Sequence, residues 1–235
     1  MTITTTTLTR AAGVAAVVGG LLYIGVQINH PHLDLDFIST TEWKVRQTMK
    51  MFFAVFSLAG ITGMYLRQVT RSGILGLIGY LVLATGFLVM LSTEIIGAVV
   101  IPSIAATSPG YVTDVLAVAV PGGKAVGDLG LFQQLSMIQG VCYLAGGFLF
   151  GIAMFRARVL ARWAAALLSL GAVATVAISL LPDVNFRLFA IPTGVALVGL
   201  GYSLWRDQRT SVAGSPVAGS LPAAAGSRLN PAGAK

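Results

Sequence analysis

The chain has 235 residues, 56% of them hydrophobic and 10% charged, with a formal net charge of +7 and a mean hydropathy of +0.85. A soluble domain is about a quarter charged, and this much apolar surface cannot be hidden in one aqueous-phase core. The composition therefore excludes an ordinary soluble globule. The positive charge does not indicate nucleic acid either, because the basic residues sit at the ends of apolar runs rather than on one surface.

A helix needs about 20 mostly apolar residues to cross about 30 Å of hydrocarbon. Six segments qualify, at 11–29, 48–66, 73–100, 131–155, 159–181 and 186–205. The expected fold is all-α: a polytopic transmembrane helical bundle of about six spanning helices. Residues 1–10 read as a cytoplasmic N-terminus, 11–206 as the six-helix transmembrane domain, and 207–235 as a disordered cytoplasmic tail. That tail is rich in Ala, Gly, Ser and Pro and has no apolar periodicity.

The first segment follows Arg10 and continues into Gln27, Asn29 and His30 without a small-x-small cleavage site. It reads as a retained helix rather than a removed signal. After it comes NHPHLDLDF, residues 29–37. An extended backbone there would put His30, His32, Asp34 and Asp36 on one side, with Pro31, Leu33, Leu35 and Phe37 on the other. Such a row fits an interfacial segment with one wet face. The sharper reading is a divalent metal held by His30, His32 and Asp36. Four ligands on one straight strand cannot converge on one ion, so that reading needs a turn or a further ligand. No HExxH spacing is present.

In STTEWKVRQTMKMFF, Ser39 and Glu42 match a capping box, which predicts a helix start near Ser39. Glu42 and Arg46 are four apart in the favourable order, Trp43 is expected at the membrane interface, and Lys50 can snorkel outward. The next two apolar runs flank TRSG, residues 70–73, which reads as a short inner turn.

Glu94, in MLSTEIIGAVVIP, is the one carboxylate inside a long apolar run. Ionisable groups in a membrane are costly and face the protein interior. Burial without a partner would raise its pKa and make it a proton donor. Arg46, Lys50 and Gln134 are its candidate partners. Asp114 lies in SPGYVTDVLAVAV, a stretch that fits a helix lying on the membrane. PGGKAVGDLG, residues 121–130, reads as a turn-rich loop. Gln133, Gln134 and Gln139 occupy the outer part of the fourth span and point to the same cavity as Glu94.

RARVLAR, residues 156–162, forms a second basic turn, and Asp183 with Arg187 flanks a third, outer one. With the N-terminus cytoplasmic, ten Lys and Arg fall inside and five outside or in the membrane, while seven of the eight acidic residues fall the other way. Both termini are therefore expected to be cytoplasmic. Cys142 is the single cysteine, so no intrachain disulfide is possible. GFLFG, residues 147–151, fits GxxxG, which serves bundle packing or dimerisation equally well.

There is no P-loop and no GxGxxG after a strand, so this chain alone is not an ATP-driven pump. There is no DDxxD, and two histidines in one loop do not supply two haem faces within helices. The leading expectation is an intramembrane enzyme, an isomerase, cyclase or transferase, acting on a lipophilic, lipid- or isoprenoid-like substrate without a cofactor. Its catalytic residues would be Glu94, Glu42, Arg46 and Asp34, with Trp43, Gln133, Gln134 and Asp114 binding substrate. The alternative is a small carrier or an accessory membrane subunit. The expected partners are the lipid bilayer and a lipophilic small molecule, with no nucleic acid.

AGVAAVVGGLLYIGVQ, GMYLRQVTRSGILGLIGYL and GIAMFRARVLARWAAALLSLGAVATV resemble uncharacterised six-helix integral membrane proteins of high-GC bacteria. The resemblance covers most of residues 10–206 and rests on hydropathy, loop lengths and Arg-rich turns. It implies a cell-membrane, multi-pass protein and assigns no reaction and no functional residue.

Overall fold

The structure, a computed structural model, describes residues 3–120, 123–178 and 190–213. The regular structure among these residues is all helical, with no strand. α1 (Thr5–Gln27) starts where the Thr4 side chain accepts a hydrogen bond from the Thr7 amide at 3.2 Å. That cap sets the helix start ahead of residue 11, where the apolar run begins. A short α2 (Leu35–Ile38) follows, and then α3 (Thr41–Ile95), a π-helical segment (Ile96–Val100) and α4 (Ile101–Ile104). α5 (Pro109–Val118), α6 (Leu131–Ala157), α7 (Arg162–Ile178) and α8 (Ala190–Ala213) complete the fold.

α3 is folded back on itself. Gln68 (φ −132°, ψ 21°) and Gly73 (φ 60°, ψ −161°) leave helical space, and the second setting requires a residue without a Cβ. The predicted turn at 70–73 lies inside this break. The two arms run antiparallel. Tyr65 stacks on Tyr80 at 4.7 Å, Phe53 meets Phe87 edge-on at 5.6 Å, and the Trp43 indole N–H donates to Gly97 O at 3.0 Å. At the other basic turn, Arg158 takes the left-handed conformation (φ 56°, ψ 29°) that ends α6.

Close approach of small residues joins successive rods. Gly60 and Gly63 on the first arm meet Ala16 and Ala12 on α1. On the second arm, a Cβ at Gly79 would lie 2.5 Å from Phe150 N of α6. Gly151 meets Ala165 and Ser169 of α7, and Gly199 of α8 meets Trp163 and Ala164. A Cβ at Gly20 would lie 2.5 Å from Gly194 O, which brings α8 back onto α1. The six rods therefore close into a ring taken in chain order. GFLFG packs within that ring, with Gly151 and Gly147 turned toward α7.

Phe53, Ile61, Met64, Leu83, Phe87, Phe150, Met154 and Leu200 fill the centre and are nearly fully buried. The outside of the ring is also apolar. Ile74 is 78% exposed, Leu66 63% and Leu170 64%, a surface that suits lipid rather than water. Among the described residues, three helical stretches are long and apolar enough to cross a membrane: Thr5–Gln27, the folded run Thr41–Ile104, and Leu131–Ala157.

The two ends of the ring differ. At one end Arg67 pairs with Asp207 at 2.6 Å and Arg10 lies over the Trp205 ring, so the start of α1 and the end of α8 sit together. The other end carries a cap. There Phe37, Ile38, Trp43, Ile101, Val112, Val115, Leu116 and Leu129 form a second apolar cluster, built from α2, α4, α5 and the loop before α6. α5 is thus a packed element of the cap. The expected span at 159–181 and the one at 186–205 lie partly outside the described residues. So do Asp183, Arg187 and most of the 207–235 tail, of which the structure describes the end of α8 as far as Ala213.

Candidate functional site

Between the cap and the bundle lies a cavity of ≈ 560 Å³. Its polar floor is made by the two arms of α3. Lys50 Nζ stands 3.7 Å from Glu94 Oε2 and donates to Gln47 Oε1 at 2.9 Å. The two charged side chains are 23% and 15% exposed. From α6, Gln139 Oε1 receives the Thr93 hydroxyl at 2.6 Å. Leu33, Val115, Leu116 and Val118 supply an apolar roof from the cap.

The hairpin explains why these groups meet. Lys50 is separated from Glu94 by 44 positions in the chain (94 − 50), yet the fold at Gln68–Gly73 sets them opposite each other. The π-helical segment begins two residues after Glu94. Its looser winding departs from the regular helical hydrogen-bond ladder, and such insertions recur at functional sites. Here the Gly97 carbonyl takes the Trp43 indole N–H. A side chain at Gly97 would collide with the Gln47 amide, so glycine lets Gln47 reach the floor.

The expected site residues separate into three groups. Glu94, Trp43 and Gln133 line the cavity, and Lys50 is the one of Glu94's three candidate partners that pairs with it. The carboxylate is therefore not the unpartnered acid that its sequence setting suggests. Trp43 is only 4% exposed, so it is a buried wall rather than an interfacial anchor. Gln134 is exposed and lies outside the lining, whereas Gln139 lies within it.

Glu42 and Arg46 form the second group, and they bond to each other and to the end of α1. The Arg46 guanidinium donates to Val26 O (2.5 Å), Ile28 O (3.1 Å) and Asn29 O (3.1 Å), and to Glu42 Oε1 (2.7 Å). It thereby satisfies carbonyls left open at the end of α1, where a cation also suits the helix dipole. Neither residue reaches the cavity lining.

The third group is the row before α3. Asp34 is the N-cap of α2 and accepts from the Phe37 amide at 2.8 Å, so the row is not extended through Asp36. His32, Asp34 and Asp36 are exposed, and His30 Nδ1 lies 2.8 Å from Pro31 O. Among the described residues no three of His, Cys, Asp and Glu come together as a metal-holding group. The cap of α3 is Thr40, which accepts from the Trp43 amide at 3.1 Å, while Ser39 donates to Asp36 O at 2.8 Å. The helix starts one residue later than expected, and the Ser39–Glu42 capping box does not form: Glu42 accepts from Arg46 instead.

Asp114 also builds structure. Its two carboxylate oxygens accept from the amides of Val126 (2.9 Å) and Gly127 (2.8 Å), folding the 123–130 loop onto α5. These two backbone donors hold its carboxyl below the ordinary value of 3.8. Asp128 closes a tight turn by accepting from the Gly130 amide at 2.7 Å.

Sequence reasoning passed over Gln47 and Thr93. A lone amide or hydroxyl in an apolar helix carries no signal until the facing arm is known. Comparison with known proteins adds nothing to the geometry: no family model, no curated protein and no solved structure matches this chain.

Proposed function

We propose that this is a multi-pass cell-membrane protein with six spanning rods and both termini in the cytoplasm, and that its outer-half cavity is a membrane-embedded acid–base site for a lipophilic substrate. The arginine-bearing end of the ring supports the orientation, because cytoplasmic ends carry the excess of Lys and Arg. The single observation that carries the activity is the Lys50–Glu94 pair, 3.7 Å apart on the floor of a ≈ 560 Å³ cavity whose lining mixes apolar side chains with Gln47, Thr93, Gln133, Ser136 and Gln139. Ionisable pairs held within membrane helices mark substrate or proton pathways.

The chemistry that suits the pair is proton transfer within one molecule. Glu94 takes a proton from one position of the bound substrate, and the Lys50 ammonium returns one at another. The two side chains then exchange a proton and regain their starting forms. The net result is isomerisation, or cyclisation when the returned proton starts it, with no electron gained or lost. Gln47 and Gln139 would hold the polar end of the substrate.

The carrier reading is less well supported. Beneath the floor, Phe53 and Phe87 are nearly fully buried and in contact, and the polar groups gather on the cap side of them. Native mass spectrometry of the protein in nanodiscs, wild type beside Glu94→Gln, tests the proposal. A co-purifying lipophile that wild type converts and the variant leaves unchanged is the expected result. A lipophile that neither protein alters, together with its movement across vesicles, would replace the enzyme reading with a carrier.

A further inference from the structure

The cavity lining is exposed along one face of α6, as it also is at Ala119, Gly123 and Gln133. Met137 and Gly140 both line the cavity, yet Met137 is 64% exposed and nothing in the structure lies within 4 Å of where a Gly140 Cβ would stand. Met137 and Gly140 are three residues apart, so they share one helix face. Beside them Ile138 (45%) and Val141 (63%) are exposed and apolar. Gly140 lies nine residues below Leu131, about 14 Å down the axis at 1.5 Å per residue. On a helix long and apolar enough to cross a membrane, that depth is in hydrocarbon rather than among headgroups.

The floor adds a constraint on the ligand. It brings one cation and one anion together, with the amides of Gln47 and Gln139 as further partners. A net charge entering this setting would compete with one member of the pair and leave the other unpaired, which is costly away from water. A neutral head that both donates and accepts hydrogen bonds leaves the pair intact.

Resting on the proposed acid–base site, we infer that the substrate is a chain-bearing amphiphile with an uncharged, hydrogen-bonding head, and that it enters sideways from the bilayer past Gly140. Its head descends to Lys50 and Glu94 while its chain lies along the Met137–Gly140 face. Gly140 is then a specificity-determining residue: its missing side chain is the width of the doorway.

The test uses the full chain in nanodiscs and three photoreactive probes of one chain length, each with a diazirine in the chain. The probes are a monoacylglycerol, a fatty acid and an alkylammonium. The monoacylglycerol is expected to label α6 saturably and more than either charged probe. Gly140→Trp should lower that labelling about tenfold, equivalent to about 1.4 kcal/mol, with Gly140→Leu intermediate and Gly140→Ala near wild type. Gly140→Leu carries the comparison by itself if the tryptophan variant does not fold. Equal labelling across the Gly140 series, or stronger labelling by a charged probe, overturns the inference. Labelling lost in Glu94→Gln but retained in Gly140→Trp removes the side entrance and leaves the acid–base site standing. No saturable labelling of wild type by any probe removes both.

Discussion

Lys50 and Glu94 face each other at 3.7 Å from opposite arms of one folded helix. Neither arm would be suitable alone, since each would place an isolated charge in an apolar run. The fold at Gln68–Gly73 converts two costly residues into a pair.

Removing one member should therefore be worse than removing both. Lys50→Met or Glu94→Leu is expected to cost about 1–3 kcal/mol, below the fully buried range because both side chains keep some exposure. The double variant should recover at least about 1 kcal/mol of the summed loss. Thermal unfolding of the four proteins in one detergent checks this, and strict additivity would dissolve the pair as an energetic unit.

Arg46 should matter for stability and not for ligand. Arg46→Ala leaves the Val26, Ile28 and Asn29 carbonyls without their donor and is expected to cost about 2 kcal/mol. Glu42→Gln should cost less than about 1 kcal/mol, because Glu42 is 50% exposed. Probe labelling by the folded Arg46→Ala fraction should equal that of wild type. A selective loss of labelling would return Arg46 to the site.

Glycine replacements should divide by position rather than by size alone. Gly20→Leu places a side chain into Gly194 and Val198 of α8 and should prevent assembly of a monodisperse protein. A Cβ at Gly140 meets nothing within 4 Å, so Gly140→Leu should melt within about 0.5 kcal/mol of wild type. Size-exclusion profiles and melting curves of the two variants read this directly.

Acid should loosen the 123–130 loop through Asp114. Its carboxyl is held below 3.8 in the folded protein by the Val126 and Gly127 amides, so the ionised clasp stabilises the loop fully above that value. The contribution is lost as pH falls through the lower, folded-state value. Amide hydrogen exchange at Val126 and Gly127, corrected for intrinsic rates, should accelerate in that window. Asp114→Asn should exchange fast throughout and show no such step.

The sequence made the rods legible because apolar runs of spanning length leave few alternatives, and it made Glu94 conspicuous because a carboxylate in such a run is rare. Lys50 stood among its possible partners for the same reason. The cap was legible only in part. The stretch around Asp114 reads as a helix and α5 is one, but α2 and α4 are too short to show a period, and the cluster depends on Trp43 turning inward to Gly97 instead of outward to the interface. Arg46 looked functional because its three carbonyl partners are backbone groups, which sequence patterns do not display. The alternation expected over His30–Asp36 stops for a local reason: Asp34 caps a helix turn, and one turn destroys a twofold alternation.

The ring of helices closes between its first and last members, with Gly13 and Gly20 of α1 seated against Gly201 and Gly194 of α8. During synthesis α1 is made long before its partner exists. One flank of α1 is covered early by α3, but the glycine flank waits for the final helix. Biogenesis then has a built-in vulnerable interval, in which a narrow, small-residue seam is open to any neighbouring helix. A chain halted ahead of Ala190 would leave that seam exposed.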